Sequence, residues 1–121
     1  MIVVVTGGRA FKSRRMVESA LSALSPVLVL SGGCRGADRL AMEWCARNGV
    51  PGRMVFADWN RYGRSAGPKR NRAMVRLARR LAAERGCEAV CVAFSGGRGT
   101  ASCVREAFQA GLRVLEGRGV A

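Results

Sequence analysis

Short runs of β-branched and aliphatic residues alternate along this chain with stretches whose apolar positions recur every three or four residues. The first kind of pattern marks buried strands and the second marks amphipathic helices, and their alternation predicts a parallel sheet covered by helices. Strands are expected over Ile2–Val5, Val27–Leu30, Met54–Phe56, Ala89–Phe94 and Arg113–Leu115. Ser13 is placed to cap a helix whose inward stripe is Met16, Val17, Ala20, Leu21 and Leu24, with Pro26 closing it. Asp38 opens a second helix with Leu40, Ala41, Trp44 and Cys45 on one face, ending at Asn48 and Gly49. A third runs from about Lys69 to Arg85, with Met74, Leu77, Ala78 and Leu81 inward and Arg72, Arg76, Arg79 and Arg80 outward. A fourth covers Thr100–Ala110, with Gly111 as its left-handed cap, and the closing GRGVA reads as frayed. Residues 57–71 break the pattern and read as a functional loop. The fold expected is α/β: one Rossmann-like domain over residues 1–121, with a mainly parallel five-stranded sheet and helices on both faces.

The strand ends carry the candidate chemistry. Three strands run into glycine clusters: Thr6–Arg9 (TGGR), Ser31–Asp38 (SGGCRGAD) and Ser95–Thr100 (SGGRGT). In an open parallel sheet, ligands sit beyond the carboxyl ends of the strands, where such turns converge. Glycine lets backbone amides approach an anion, and the helices that follow point their positive ends at it. One Gly-Gly alone is equally a tight turn. Three together, accompanied by Arg9, Arg35 and Arg98, point to an anion site. Gly7, Gly8, Gly32, Gly33, Gly96, Gly97, Gly99 and Thr100 are its candidate backbone, and Arg70 and Asn71 its candidate partners at the start of the third long helix. Neither the G-x-G-x-x-G fingerprint nor a Walker A lysine is present.

Charge sharpens this picture. The formal net charge is +13, carried almost wholly by arginine, whose planar fork suits phosphate, so nucleotides and nucleic acids both fit as partners. Arginines on helix faces are also explained by solvation alone. Trp59 and Tyr62, beside Arg61, Arg64 and Arg70, either cover part of the sheet or offer a base-stacking surface next to phosphate donors. Asp38 is read either as a helix cap or as a ribose contact, and Asp58 either as a turn residue or as a base-side or catalytic carboxylate.

Other classes are set aside. No apolar run approaches the ~20 residues that cross a bilayer, so no membrane association is expected. The start, MIVVVTGGRAF, lacks the charged segment of a secretory leader, so a cytoplasmic protein is expected. The five cysteines are expected to stay reduced. With no histidine and only Cys87 and Cys91 close together, neither a metal nor a cofactor is expected.

These motifs resemble, in order and over nearly the whole chain, those of the SLOG superfamily, the Smf/DprA and LOG proteins. Within it the match is to the YspA-like, cpYpsA-related group: VTGGRAF, SGGCRGADRLA, ADWNRYGRSAGPKRNRAM, AFSGGRGTA and AGLRVLE. The resemblance implies a Rossmann-like fold and a ligand drawn from nucleotides, nucleotide-derived signals or nucleic acid. LOG members are phosphoribohydrolases with a GGxGTxxE loop and an upstream arginine. Here Gly96, Gly97, Gly99, Thr100 and Arg70 match that pattern, while Cys103 stands where the glutamate would be and Glu106 is the nearest acid. Three functions follow. The first is a module that binds a nucleotide or a phosphoribosyl or ADP-ribose-like ligand as sensor or sequestering protein, expected to be a homo-oligomer. The second is a nucleoside monophosphate phosphoribohydrolase relying on Asp38, Asp58, Arg70 or Glu106. The third is a DprA-like nucleic-acid-binding protein using the arginine face of the helix from Arg70 to Arg85. The missing glutamate favours the first.

Overall fold

The computed structural model describes residues 1–120. Five strands, β1 (Ile2–Thr6), β2 (Leu28–Ser31), β3 (Gly52–Met54), β4 (Ala89–Ala93) and β5 (Arg113–Glu116), form one sheet in the order β3-β2-β1-β4-β5. All neighbours are parallel, so the expectation of a mainly parallel sheet is met in full. From β1 the chain winds first toward β3 and then, through β4, toward β5. The switch point therefore lies between β1 and β4.

Strand alternation sorts the core into two halves. Val3 and Val5 of β1 point to one face, where they pack with Val17, Ala20 and Leu21 of α1 (Arg14–Leu24) and Ala41 and Trp44 of α2 (Ala37–Asn48). Ile2 and Val4 point to the other face, where they meet Met74, Val75 and Ala78 of α4 (Ala66–Arg85) and Cys103 and Ala107 of α5 (Arg98–Gln109). A four-residue helical turn, α3 (Trp59–Tyr62), and a short 3-10 turn over Gly63–Ser65 lead into α4. No described helix is long and apolar enough to cross a membrane.

Local signals explain most boundaries. The Ser13 hydroxyl accepts the Met16 amide at 3.2 Å, as its cap reading requires. Gly49, with φ of +65°, ends α2, and Gly111, with φ of +81°, turns the chain out of α5. Several expected limits shift. Residues 57–71 are largely helical, because α4 begins at Ala66 and takes Pro68 into its first turn, where an absent amide costs no hydrogen bond. On α4 it is Val75 and Ala82 that join Met74 and Ala78 inside, while Leu77 and Leu81 are half-buried. Helix α5 starts at Arg98, two residues early. Strand β2 begins at Leu28, leaving Val27 exposed, and β4 stops at Ala93. Strand β3 occupies Gly52–Met54 rather than Met54–Phe56: as an edge strand it pairs only with β2, and its residues need no burial. The segment expected to fray turns through Gly117–Gly119, with Gly117 buried against the Phe94 ring, and Ala121 lies outside the described residues.

Ser13→Ala removes the cap and is expected to lower stability by about 1 kcal/mol, with a reduced urea midpoint and an unchanged slope.

Candidate functional site

The three glycine turns meet beyond the carboxyl end of β1. The Gly8 amide donates to the Ser95 carbonyl at 2.8 Å, and the Ala37 amide to the Gly8 carbonyl at 3.4 Å. A Cβ on Gly8 would stand 3.0 Å from Gly96 Cα. One on Gly96 would run into Thr100 and the Gly8 amide, and one on Gly36 into the Gly8 carbonyl. Backbone thus packs on backbone, and only glycine permits it. Gly97 and Gly99 differ: a Cβ on either meets nothing within 4 Å. Both line a cleft of about 1080 Å³ that opens over this junction.

Most of the candidate residues border that cleft: Gly7, Gly8, Arg9, Gly32, Asp38, Trp59, Arg70, Asn71, Gly96, Gly97, Arg98, Gly99 and Thr100. Gly33, Arg35 and Tyr62 do not. Gly33 lies under the Phe56 ring, Arg35 is exposed, and the Tyr62 ring is faced by Arg61 and Lys69, whose charged atoms are 5.1 and 4.9 Å from its centroid. The cleft adds residues that sequence reasoning missed, among them Phe11, Lys12, Cys34, Ser95 and Ser102, and it includes Arg64, read from the sequence as a phosphate donor beside Trp59 and Tyr62. Cys34 and Ser95 lay inside motifs already singled out. Phe11 and Lys12 carried no signal of their own, since the turn after β1 brings them back over the sheet.

The floor is fixed by two adjacent residues of α4. Arg70 Nη1 donates to the Gly32 carbonyl at 2.8 Å and to the Val55 carbonyl at 3.3 Å, and its Nε donates to Asn71 Oδ1 at 2.8 Å. Asn71 is buried and turns its amide the other way, donating to the Gly99 carbonyl and to Ser102 Oγ, both at 3.3 Å. The pair ties the β2 turn to the first turn of α5. With Nε and Nη1 bonded to protein, Arg70 keeps only Nη2 to offer, so its planar fork serves the scaffold first.

Asp38 is buried but does not cap α2. Gly36 holds the cap position at a φ of +79°, because no side chain fits against the Gly8 carbonyl there. Asp38 instead accepts the Cys34 amide at 3.2 Å on Oδ2 and so closes the β2 turn. Burial pushes its carboxyl above the ordinary range, against the pull of the Cys34 amide and the Arg70 charge.

The other acids lie apart. Asp58 accepts the Arg61 amide at 3.1 Å and caps α3, in keeping with its reading as a turn residue. Glu106 faces α4, where its carboxylate takes Arg72 Nε and Nη2 at 3.3 and 3.4 Å. Neither borders the cleft. Cys103 is fully buried in the core cluster that also holds Cys91, Met74 and Ala107. The neighbouring Cys103 side chain, together with burial, pushes the Cys91 thiol up. All five cysteines are free thiols.

Two helices open at the cleft, α2 through Gly36 and α5 through Gly97, and neither has a side-chain cap. Their first-turn amides therefore lack the side-chain acceptors that Ser13 gives α1 and Asp58 gives α3. Around them Arg9, Lys12, Arg64 and Arg98 line the cleft, none with an ion-pair partner among the described residues.

Comparison with known proteins bears on this arrangement. The model of the YspA, cpYpsA-related SLOG family matches residues 1–62, which include the first two glycine turns. The chain belongs to this family. A relative, the Gene 61 protein of Mycobacterium phage D29, is 39% identical over 125 residues, covering 93% of each chain. Among solved structures, the SLOG chain is similar to TM1055, a structural-genomics target, with a TM-score of 0.70 at 20% identity, over 99% of this chain and 75% of that one. It is also similar to DNA processing protein A (DprA) from Streptococcus pneumoniae, with a TM-score of 0.56 at 19% identity, over 96% of this chain and 59% of that one. At these identities the two structures establish the shared Rossmann-like fold.

The raised carboxyl of Asp38 has a measurable consequence. Its folded pKa lies above that of the unfolded chain, so between the two values the folded state binds more protons and gains stability as pH falls. Asp38→Asn keeps an acceptor for the Cys34 amide and loses this gain. In urea unfolding at about pH 7 and about pH 4.5, the parent is expected to gain stability relative to Asp38→Asn at the lower pH.

Proposed function

We propose that the cleft binds a phosphate-bearing, nucleotide-derived small molecule and holds it unchanged, as a sensor or sequestering module. The observation that carries this reading is the pairing of Gly97 and Gly99, bare without any packing need, with the uncapped first turn of α5 inside a cleft lined by unpaired cations. Packing accounts for Gly8, Gly36 and Gly96. Space for a ligand accounts for the other two. Exposed amides at a helix start, with arginine and lysine around them, suit a phosphate group. Trp59 is half exposed and packs its ring edge on Gly67 at the rim, which suits a stacked base.

The carboxylate inventory favours binding over hydrolysis. Breaking an N-glycosidic bond develops oxocarbenium character that a nearby carboxylate stabilises. Among the described residues, Asp38 is the only acid that borders the cleft, and one of its oxygens is bonded to the Cys34 amide. Because position 103 is packed beneath the floor, a glutamate there would put its charge into the core.

Mass spectrometry of small molecules released from the purified, denatured protein is expected to find a phosphorylated nucleotide derivative. Adding that compound back should raise the melting temperature of the parent. Gly97→Val and Gly99→Val should fold with near-parental stability and lose that rise. A released compound without phosphate, or an undiminished rise in both variants, would overturn the assignment.

Incubation with AMP or GMP, followed by chromatography for free base, is expected to show negligible release. A missing preorganised charge of this kind commonly costs about two to three decades in rate. Turnover by the parent that Asp38→Asn abolishes would make the protein a phosphoribohydrolase.

A further inference from the structure

A smaller hollow of about 360 Å³ lies beside the cleft, past the carboxyl ends of β4 and β5. Phe11, Met16, Phe94, Ser95, Glu116 and Arg118 line it, and Phe11 and Ser95 border the cleft as well, so the two spaces adjoin. The Phe11 ring stands at their boundary. It is tilted 39° to the Phe94 ring, with the centroids 5.1 Å apart. Gly117 comes up against Phe94, where a Cβ would run into the ring, and Phe94 is buried. Phe11 and Met16 pack against the same half of the core yet stay partly exposed, which is costly for large apolar side chains in water.

The two spaces differ in charge. Arg9, Lys12, Arg64 and Arg98 surround the cleft without ion-pair partners among the described residues. The charged residues of the hollow are Glu116 and Arg118, which pair with each other at 3.2 Å. A phosphate therefore gains little in the hollow. A flat uncharged ring gains more, because the Phe11 ring offers it a face and Ser95, Glu116 and Arg118 offer donors and acceptors to its edge.

Space points the same way. The cleft alone, at about 1080 Å³, matches the upper end of the ~300–1000 Å³ range of small-ligand sites, before the hollow is added. Its other aromatic residue, Trp59, packs on Gly67 of α4, on the sheet face opposite the core half that Phe11 joins. Rings thus stand on both sides of the sheet, and the turn from Ser95 to Thr100, which carries Gly97 and Gly99, runs from the shared boundary into the cleft.

We infer that, given the phosphate-binding cleft proposed above, the hollow beside Phe11 receives a second base, and the ligand is a dinucleotide whose two nucleosides are joined through phosphate. One base stacks on Trp59 and the other on Phe11. A mononucleotide or ADP-ribose, each with a single base, leaves one of these rings uncovered.

Titration calorimetry of the full chain with diadenosine diphosphate and with ADP-ribose tests this. Both compounds carry the same diphosphate, and they differ in the number of bases. The dinucleotide is expected to bind at least about fivefold more tightly, as one added stacked base gives. Met16 lines the hollow and not the cleft. Met16→Trp, which fills the hollow from α1, should erase this preference and leave the ADP-ribose affinity as it was. Phe11→Leu keeps an apolar side chain but loses the flat face, and should likewise bring the two affinities together. Equal affinities in the parent, or a preference that survives both variants, would overturn the second-base subsite and leave the cleft reading standing. Absence of binding by either compound would overturn both.

Discussion

Everything near the cleft depends on backbone approaching backbone at the carboxyl end of β1. Gly8, Gly36 and Gly96 come from three different turns, yet their main chains touch, and a single added methyl group would force them apart. The constraint arises from topology. Where the chain reverses its winding direction, the helices after β1's two neighbours diverge to opposite faces, so their starting turns are crowded together over the end of β1. Crowding the turns aligns the starts of α2 and α5 on one cleft.

Closeness of that kind has to be held. Arg70 and Asn71, consecutive on α4, reach in opposite directions and bond the carbonyls of Gly32, Val55 and Gly99. The Gly32 and Val55 carbonyls lie just past the ends of their strands, and burying such groups unpaired would cost about 1–3 kcal/mol each. Asp38 does the complementary work from α2 by accepting the Cys34 amide. The polar floor is therefore scaffold as well as cleft lining, and the cationic side chains left without an ion-pair partner among the described residues are those around it: Arg9, Lys12, Arg64 and Arg98.

The same division separates this chain from the LOG pattern it partly shares. Gly96, Gly97, Gly99 and Thr100 build the α5 turn, so the glycine backbone of that pattern is kept. Cys103 is part of the core, in one cluster with Cys91, so the position that carries a glutamate in the LOG pattern contributes packing here. The two properties are separable because one is a feature of the backbone and the other of a single side chain.

Much of this was written in the one-dimensional pattern. The alternation of runs determined the α/β fold and the central strands β1, β2 and β4, because strand and helix periods are local and burial on both faces demands continuous apolar runs. The glycine turns identified the end of the sheet where the cleft lies. Boundaries that depend on a neighbour were not legible. Strand β3 lies where β2 offers it partners, and the apolar run from Met54 to Phe56 gave no hint of that register. The helical start at Ala66 was hidden by Pro68, which reads as a breaker unless its position in the first turn is known. Glycines that pack could not be told from glycines that leave space, since both look alike in sequence and differ only in what stands opposite. Asp38, Arg70 and Glu106 were recognised as reactive types, but which would face the cleft, bind the scaffold or pair across helices was decided by tertiary contacts with residues 4 to 38 positions away.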